Sequence, residues 1–102
     1  MSNKYHNVKT TVDNIIFASK KEAARYQELK LLQRAGEISD LLLQVKFKIE
    51  VNGVHICYYN ADFTYHEKGI QVAEDVKGYV NRVYALKKKL MLAVHGIHIR
   101  ET

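Results

Sequence analysis

Ala61-Asp62-Phe63-Thr64-Tyr65-His66-Glu67-Lys68-Gly69-Ile70-Gln71-Val72-Ala73-Glu74-Asp75-Val76-Lys77 is the stretch on which the fold turns. Lys68-Gly69 lies between two strand-like runs, His55 to His66 and Gln71 to Val76, and reads as a two-residue hairpin loop. With Glu67 opposite Ile70, counting back along both strands sets Asp62 opposite Asp75. Directly opposed side chains have Cβ atoms ~5 Å apart, where like charges repel. Lys77, two residues beyond Asp75, projects from the same face. Two carboxylates and an ammonium therefore converge, and a hard divalent cation such as Mg²⁺ would relieve the repulsion.

In that register Asn60, Asp62 and Thr64 share a face with Gln71, Ala73, Asp75 and Lys77, while Ala61, Phe63 and Tyr65 share the other with Val72 and Val76. One face is polar and the other apolar, with Glu74 the exception, as a half-buried antiparallel pair requires. The charged group is expected on the side away from the apolar packing. A one-residue bulge would reassign the faces.

Upstream, Leu41 to Val51 alternates as a strand, and Asn52-Gly53 is a hairpin signal leading into the strand from Val54 to His66. Ser19-Lys20-Lys21-Glu22 fits a capping box, which predicts a helix running to about Ala35 with Gly36 as its stop. Asp13-Asn14 is a small turn between Val12 and Ile15-Ile16-Phe17. Residues 1 to about 10 read as a polar, basic arm. Downstream, Gly78 ends the third strand. A second helix is expected over Asn81 to His95, with Val83, Leu86, Leu90 and Val94 at the spacing of a buried stripe. Gly96 suits its C′ position, and Ile97 to Arg100 is a short last strand. Helix, three-stranded antiparallel meander, helix and short fourth strand make a single α+β domain over residues 1–102.

A chain of 102 residues buries roughly 65% of its unfolded surface without disulfides. The single Cys57, inside a strand, reads as a packed, reduced thiol. No apolar run approaches the ~20 residues of a membrane span, and no signal peptide is evident, so the expectation is a cytoplasmic protein that does not enter membranes. Sixteen Lys and Arg against eleven Asp and Glu leave a formal charge of +5, compatible with a polyanionic partner. The basic residues concentrate in Lys4 to Lys9, at Lys20 and Lys21, and from Lys77 through Arg82 to Lys87-Lys88-Lys89. The last group is open to two readings, a solvated helix face or nucleic-acid contact.

Glu22 is a candidate fourth member of the charged group, because it heads a helical stripe with Tyr26 and Leu29 that would face the sheet. A capping-box glutamate also needs no further role, so both readings stand. Asp is disfavoured in strand interiors, and an exposed ion pair with Lys77 would add only ~0–1 kcal/mol, little reason to keep two opposed aspartates. Other chemistries fare worse. His6, His55, His66, His95 and His98 show no zinc spacing with Cys57, and there is no phosphate-binding glycine loop or nucleophile elbow. Tyr58, Tyr59 and Tyr65 could stack on bases, although strand tyrosines more often pack in the core or at its rim.

These residues resemble the PD-(D/E)XK nuclease superfamily, whose core is a helix, three antiparallel strands, a helix and a further strand. Asp62 stands as the second-strand Asp, Asp75-Val76-Lys77 as the (D/E)XK element and Glu22 as the first-helix acid. More narrowly, the chain is similar to a family of short phage and prophage proteins, formerly catalogued as a domain of unknown function and regarded as nucleases. The similarity runs in order through Lys4-Tyr5, Phe17 to Ala23, Ala35-Gly36-Glu37-Ile38, Leu43-Gln44, Tyr59 to Phe63, Glu74 to Gly78 and Leu86-Lys87. Ala61 replaces the Pro of the superfamily label, and Val45 follows Gln44 where the narrower family commonly has Pro.

The resemblance implies a restriction-endonuclease-like core and a metal-dependent DNA endonuclease, with Asp62, Asp75 and Glu22 holding Mg²⁺ or Mn²⁺ and Lys77 orienting the nucleophile or stabilising the phosphorane. Lys20, Lys21, Lys87 and Lys89 would contact DNA phosphates. It further implies a Holliday-junction-resolvase-like homodimer acting on branched DNA in phage recombination, repair or replication, inside the host cytoplasm. Gln44 often belongs to such sites, yet the simple hairpin register sets it opposite Ala61, on the wrong face. Two rival expectations are a non-catalytic DNA-binding protein and a host-protein-binding phage protein, each keeping the nuclease fold.

Overall fold

A computed structural model describes residues 8–76 and 81–102. Lys77, Gly78 and the arm through residue 7 lie outside the described residues. The chain forms β1 (Thr10–Val12), β2 (Ile15–Phe17), α1 (Lys20–Arg34), β3 (Ser39–Val51), β4 (Val54–Glu67), β5 (Ile70–Asp75), α2 (Arg82–Leu90), a π-helical turn (Met91–His95) and β6 (Ile99–Glu101). β1 and β2 form a separate two-stranded ribbon, and the main sheet has the order β3-β4-β5-β6. β3, β4 and β5 are an antiparallel meander, and β6 pairs parallel to β5. The fold is α+β, in the element order the sequence predicts. A parallel neighbour needs a crossover, which α2 and the π turn supply.

Local chemistry sets the reversals. Both loop residues of each hairpin have positive φ: Asp13 and Asn14, Asn52 and Gly53, Lys68 and Gly69. That backbone matches the right-handed twist of the flanking strands. Glu67 pairs with Ile70 and the ladder continues unbroken to Phe63 opposite Glu74, in the expected register. The Ser19 side chain accepts from the Glu22 N–H at 3.1 Å and opens α1.

Two apolar clusters hold the sheet. In one, Ala23, Tyr26 and Leu29 of α1 pack with Phe17, Ile38, Phe63, Tyr65 and Val72. In the other, Met91 and Ile97 pack with Ile49, Tyr59, Ala61, Ala73 and Ile99. Val72 and Ala73 are consecutive in β5 and fall in different clusters, so the sheet is covered on both faces at this strand. This corrects the expectation of a half-buried pair. The Asp75 side of the hairpin is not turned away from apolar packing, because the parallel strand brings helical structure over the second face.

A second correction concerns alternation. Phe63 and Tyr65 pack on the α1 side, whereas Ala61 and Tyr59, of the same parity, pack with Ala73 and Met91. β3 does likewise: Leu41 and Leu43 pack in the first cluster, Phe47 and Ile49 in the second. The faces exchange at Gln44, which has φ +52 and lies between the pairs Leu43–Phe63 and Val45–Ala61. One left-handed residue redirects the strand as a bulge would, so the simple two-residue period fails there.

The third correction is in α2. Val83 and Leu86 are 63% and 58% exposed and Val94 is also exposed, while Met91 is fully buried. Tyr84 and Leu90 pack against the second cluster. The sheet-facing side is thus rotated from the predicted stripe towards Tyr84 and Met91, seven residues apart.

Candidate functional site

α1, β3, β4 and β5 each bring one polar side chain to the point where the strand faces exchange. Glu22 arrives from the first turn of α1, where Ala23, Tyr26 and Leu29 anchor the helix on the sheet. Its N–H belongs to the Ser19 cap, but its carboxylate turns to Gln44, whose Nε2 donates to Oε1 at 3.2 Å. The same Nε2 lies 3.4 Å from Asp62 Oδ1, so the Gln44 amide bridges the two acids. Gln44 stands opposite Asp62, and not Ala61, because an extra β4 residue between the pairs Ile49–Cys57 and Glu50–His55 shifts the register by one. This corrects the reading that set Gln44 on the wrong side.

Asp62 continues the β4–β5 ladder by a side-chain bond: the Val76 N–H donates to Oδ2 at 2.8 Å. Its carboxyl lies within hydrogen-bonding reach of Asp75. Asp75 is buried and accepts from the Tyr59 hydroxyl at 2.7 Å. Burial pushes the Asp62 pKa up to about 7; the Val76 N–H opposes the shift, and the charges of Glu22 and Asp75 add to it. Glu22 is also raised, first by burial and then by Asp75, against the Gln44 hydrogen bond. The acids therefore share one electrostatic environment, the condition that marks functional clusters of titratable groups.

The oxygen donors of Glu22, Asp62 and Asp75 suit a hard divalent cation in kind. They are not a ready-made cage: among the described residues no group of three or more His, Cys, Asp or Glu is placed to hold a metal ion. Mg²⁺ takes one or two carboxylates directly and retains waters, so the donor set fits Mg²⁺ or Mn²⁺ better than a metal needing a closed all-protein shell.

A buried network beside the site was not foreseen. Glu74, fully buried, accepts from Arg25 Nε at 2.6 Å and Nη2 at 2.9 Å, from Tyr65 at 2.6 Å and from Thr102 at 3.1 Å. These bonds hold its pKa below the usual value despite burial. The fork clamps α1 to β5, the elements carrying Glu22 and Asp75. The sequence signal was Glu74 itself, the one charge on an apolar strand face. Tyr59 was expected either to stack on bases or to pack in the core; it is buried, and its hydroxyl orients Asp75.

The predicted cationic residues divide. Lys20 and Lys21 are exposed at the start of α1, next to Glu22. Lys87 is partly buried and lines a cleft with Asp75. Lys89 lines a different cleft of about 370 Å³ with Tyr84, Leu92 and His98, which includes none of the three acids. Lys77 lies outside the described residues.

The profile of a family described as "Protein of unknown function (DUF1064)" matches residues 2–100, and the chain belongs to that family. No curated protein and no solved structure matches the chain. Among the described residues no helix is long and apolar enough to cross a membrane.

Proposed function

We propose that the protein is a metal-dependent deoxyribonuclease with a restriction-endonuclease-like core, hydrolysing phosphodiester bonds in branched or junction DNA. The observation that carries this reading is the meeting of Glu22 with Asp62, forty residues later in the chain, through the shared Gln44 amide, beside Asp75. Capping α1 does not require that carboxylate to enter an acidic cluster. An acidic cluster built from separate elements calls for a cation.

In this reading Asp62 and Asp75 hold Mg²⁺ or Mn²⁺ with Glu22 assisting. The bound ion supplies positive charge against the charge developing on the phosphorane and makes attack by water feasible at neutral pH. Tyr59 fixes the Asp75 carboxylate and Val76 N–H fixes that of Asp62, so neither acid must reorganise. Gln44 holds Glu22 against Asp62. Lys77 is assigned to the nucleophile or the phosphorane oxygens by the resemblance alone. Lys20, Lys21, Lys87 and Lys89 attract phosphates, which makes binding strongly salt dependent. The active species is a homodimer presenting two sites to opposite strands.

The deciding experiment incubates purified protein with four-way junction, flap and linear DNA in Mg²⁺, Mn²⁺ or EDTA. Metal-dependent cutting that Asp75→Ala abolishes is expected, and undiminished cutting by that variant overturns the site. The second reading is a non-catalytic DNA-binding protein, favoured by the absence of a ready-made metal cage among the described residues. It predicts salt-sensitive binding with no cleavage in any metal.

A further inference from the structure

Asp75 also lines an open cleft of about 300 Å³, together with Tyr58, Tyr59, Asn60, Asn81 and Lys87. The cleft exists because the strands differ in length. β4 runs from Val54 to Glu67, but β5 pairs with it only from Phe63 to Glu67. Beyond Asp62 the β4 edge therefore has no strand beside it among the described residues, and the opening of α2 stands across the gap. Tyr84 and the exposed Val83 complete the lining of the cleft.

The wall groups are not equivalent. Tyr59 is buried and its hydroxyl is committed to Asp75 at 2.7 Å. Asn81 Oδ1 accepts from the Tyr84 N–H at 2.8 Å and caps α2, so the amide NH₂ is what this side chain offers a ligand. Asn60 is exposed. Tyr58 is 43% exposed; Lys46 Nζ lies over its ring, 4.0 Å from the centroid, and the His55 ring meets it tilted by 52° rather than stacked. Aromatic surface, amide donors and acceptors, and a Lys87 ammonium thus surround one volume that opens on a candidate metal ligand.

We propose that this cleft is a subsite for one unpaired nucleotide adjoining the scissile phosphate, which restricts the substrate to DNA with a single-stranded segment next to the cut. The inference rests on the nuclease reading. The base packs on Tyr58, its edge meets the amides of Asn60 and Asn81, and Lys87 takes the neighbouring phosphate. The volume is at the small end of ligand pockets, suited to a nucleotide and not to a stacked base pair. A base enters such a cleft only from outside the duplex stack, so an unpaired base enters without the unpairing and unstacking cost that a base in continuous duplex carries.

Two arms test the proposal with the full chain. Fluorescence anisotropy in EDTA reads the affinity of a short labelled oligothymidylate. Tyr58→Ala should weaken it roughly five-fold or more while Tyr58→Phe retains it, the expectation for lost base stacking. Equal affinity of wild type and Tyr58→Ala, or no binding by wild type, overturns the subsite. The second arm compares cleavage of a forked duplex with one whose base next to the mapped cut is missing. Slower cutting of the abasic fork supports the subsite; equal rates on the intact fork, the abasic fork and a fully paired duplex overturn it and leave the nuclease reading intact. Failure to cut any DNA in any metal sinks the nuclease reading and with it the scissile-phosphate assignment, whatever the binding arm reports.

Discussion

The Gln44 amide and the Asp62 carboxylate face each other across β3 and β4, with Nε2 3.4 Å from Oδ1, at the point where both strands exchange their buried faces. Gln44 holds φ +52 there, a conformation that costs a side-chain-bearing residue ~1–2 kcal/mol. Gln44→Gly removes that cost and also the amide bridge. It is expected to leave the melting temperature within a few degrees of wild type while reducing metal-dependent cleavage, whereas Gln44→Ala should lose both activity and stability. Calorimetry beside a cleavage assay separates the two effects.

Asp62 and Glu74 give opposite pH signatures. Asp62 is raised from 3.8 to about 7 in the folded chain, so its destabilising charge is absent in acid and grows as pH rises through that interval. Glu74 is lowered from 4.5, so its stabilisation is present above that value and is lost as pH falls through its folded pKa. Metal-free protein should therefore lose stability steadily as pH rises from about 4.5 to about 7. Melting curves that rise steadily from pH 5 to 8 would contradict the clustered-acid description.

Added Mg²⁺ or Mn²⁺ should raise the melting temperature more at pH 8 than at pH 5, because a cation binds ionised carboxylates and stabilises only the state that holds the site. Asp62→Asn retains an acceptor for the Val76 N–H and removes one repelling charge. It should melt at or above wild type in EDTA, gain less from metal, and cut DNA at least ~10²-fold more slowly.

The Arg25–Glu74 fork predicts a strong non-additivity. Arg25→Met strands a buried carboxylate and should cost ~3–5 kcal/mol in urea unfolding, while Arg25→Met with Glu74→Gln should lose markedly less than the sum of the singles. Additive losses would mean that the two residues stabilise the fold independently.

Met91 and Leu86 exchange the roles their helical spacing implies. Met91→Ala should cost about 2–5 kcal/mol through loss of buried volume, and Leu86→Ala less than about 0.5 kcal/mol, both read from denaturant midpoints.

Much of the fold was written locally. Asn52-Gly53 and Lys68-Gly69 accept the positive φ that reverses a chain in two residues, and the position of Lys68-Gly69 set the register that brings Asp62 beside Asp75, whereas the β3–β4 register shifts by one between Ile49 and Glu50. Ser19 and Glu22 marked the start of α1, and the Glu22, Tyr26 and Leu29 spacing identified the helix face that is buried. What the chain could not announce locally was the exchange of faces at Gln44. A left-handed glutamine is unfavourable by itself and persists only because Leu43 must pack under α1 while Phe47 and Ile49 pack near Met91.

The buried side of α2 was hidden for the same reason. Val83 and Leu86 have the hydrophobicity of a core stripe, but β6 and the second cluster select Tyr84 and Met91. Sequence therefore determined the elements, their order, the β4–β5 register and the acids worth watching, because turns, caps and periodicity act over a few residues. Only tertiary structure decided that Glu22, Gln44, Asp62 and Asp75 share one place, that Glu74 is clamped by Arg25, and that a cleft opens beside Asp75. Those relations depend on two helices packing on opposite sides of β5, which no short-range preference encodes.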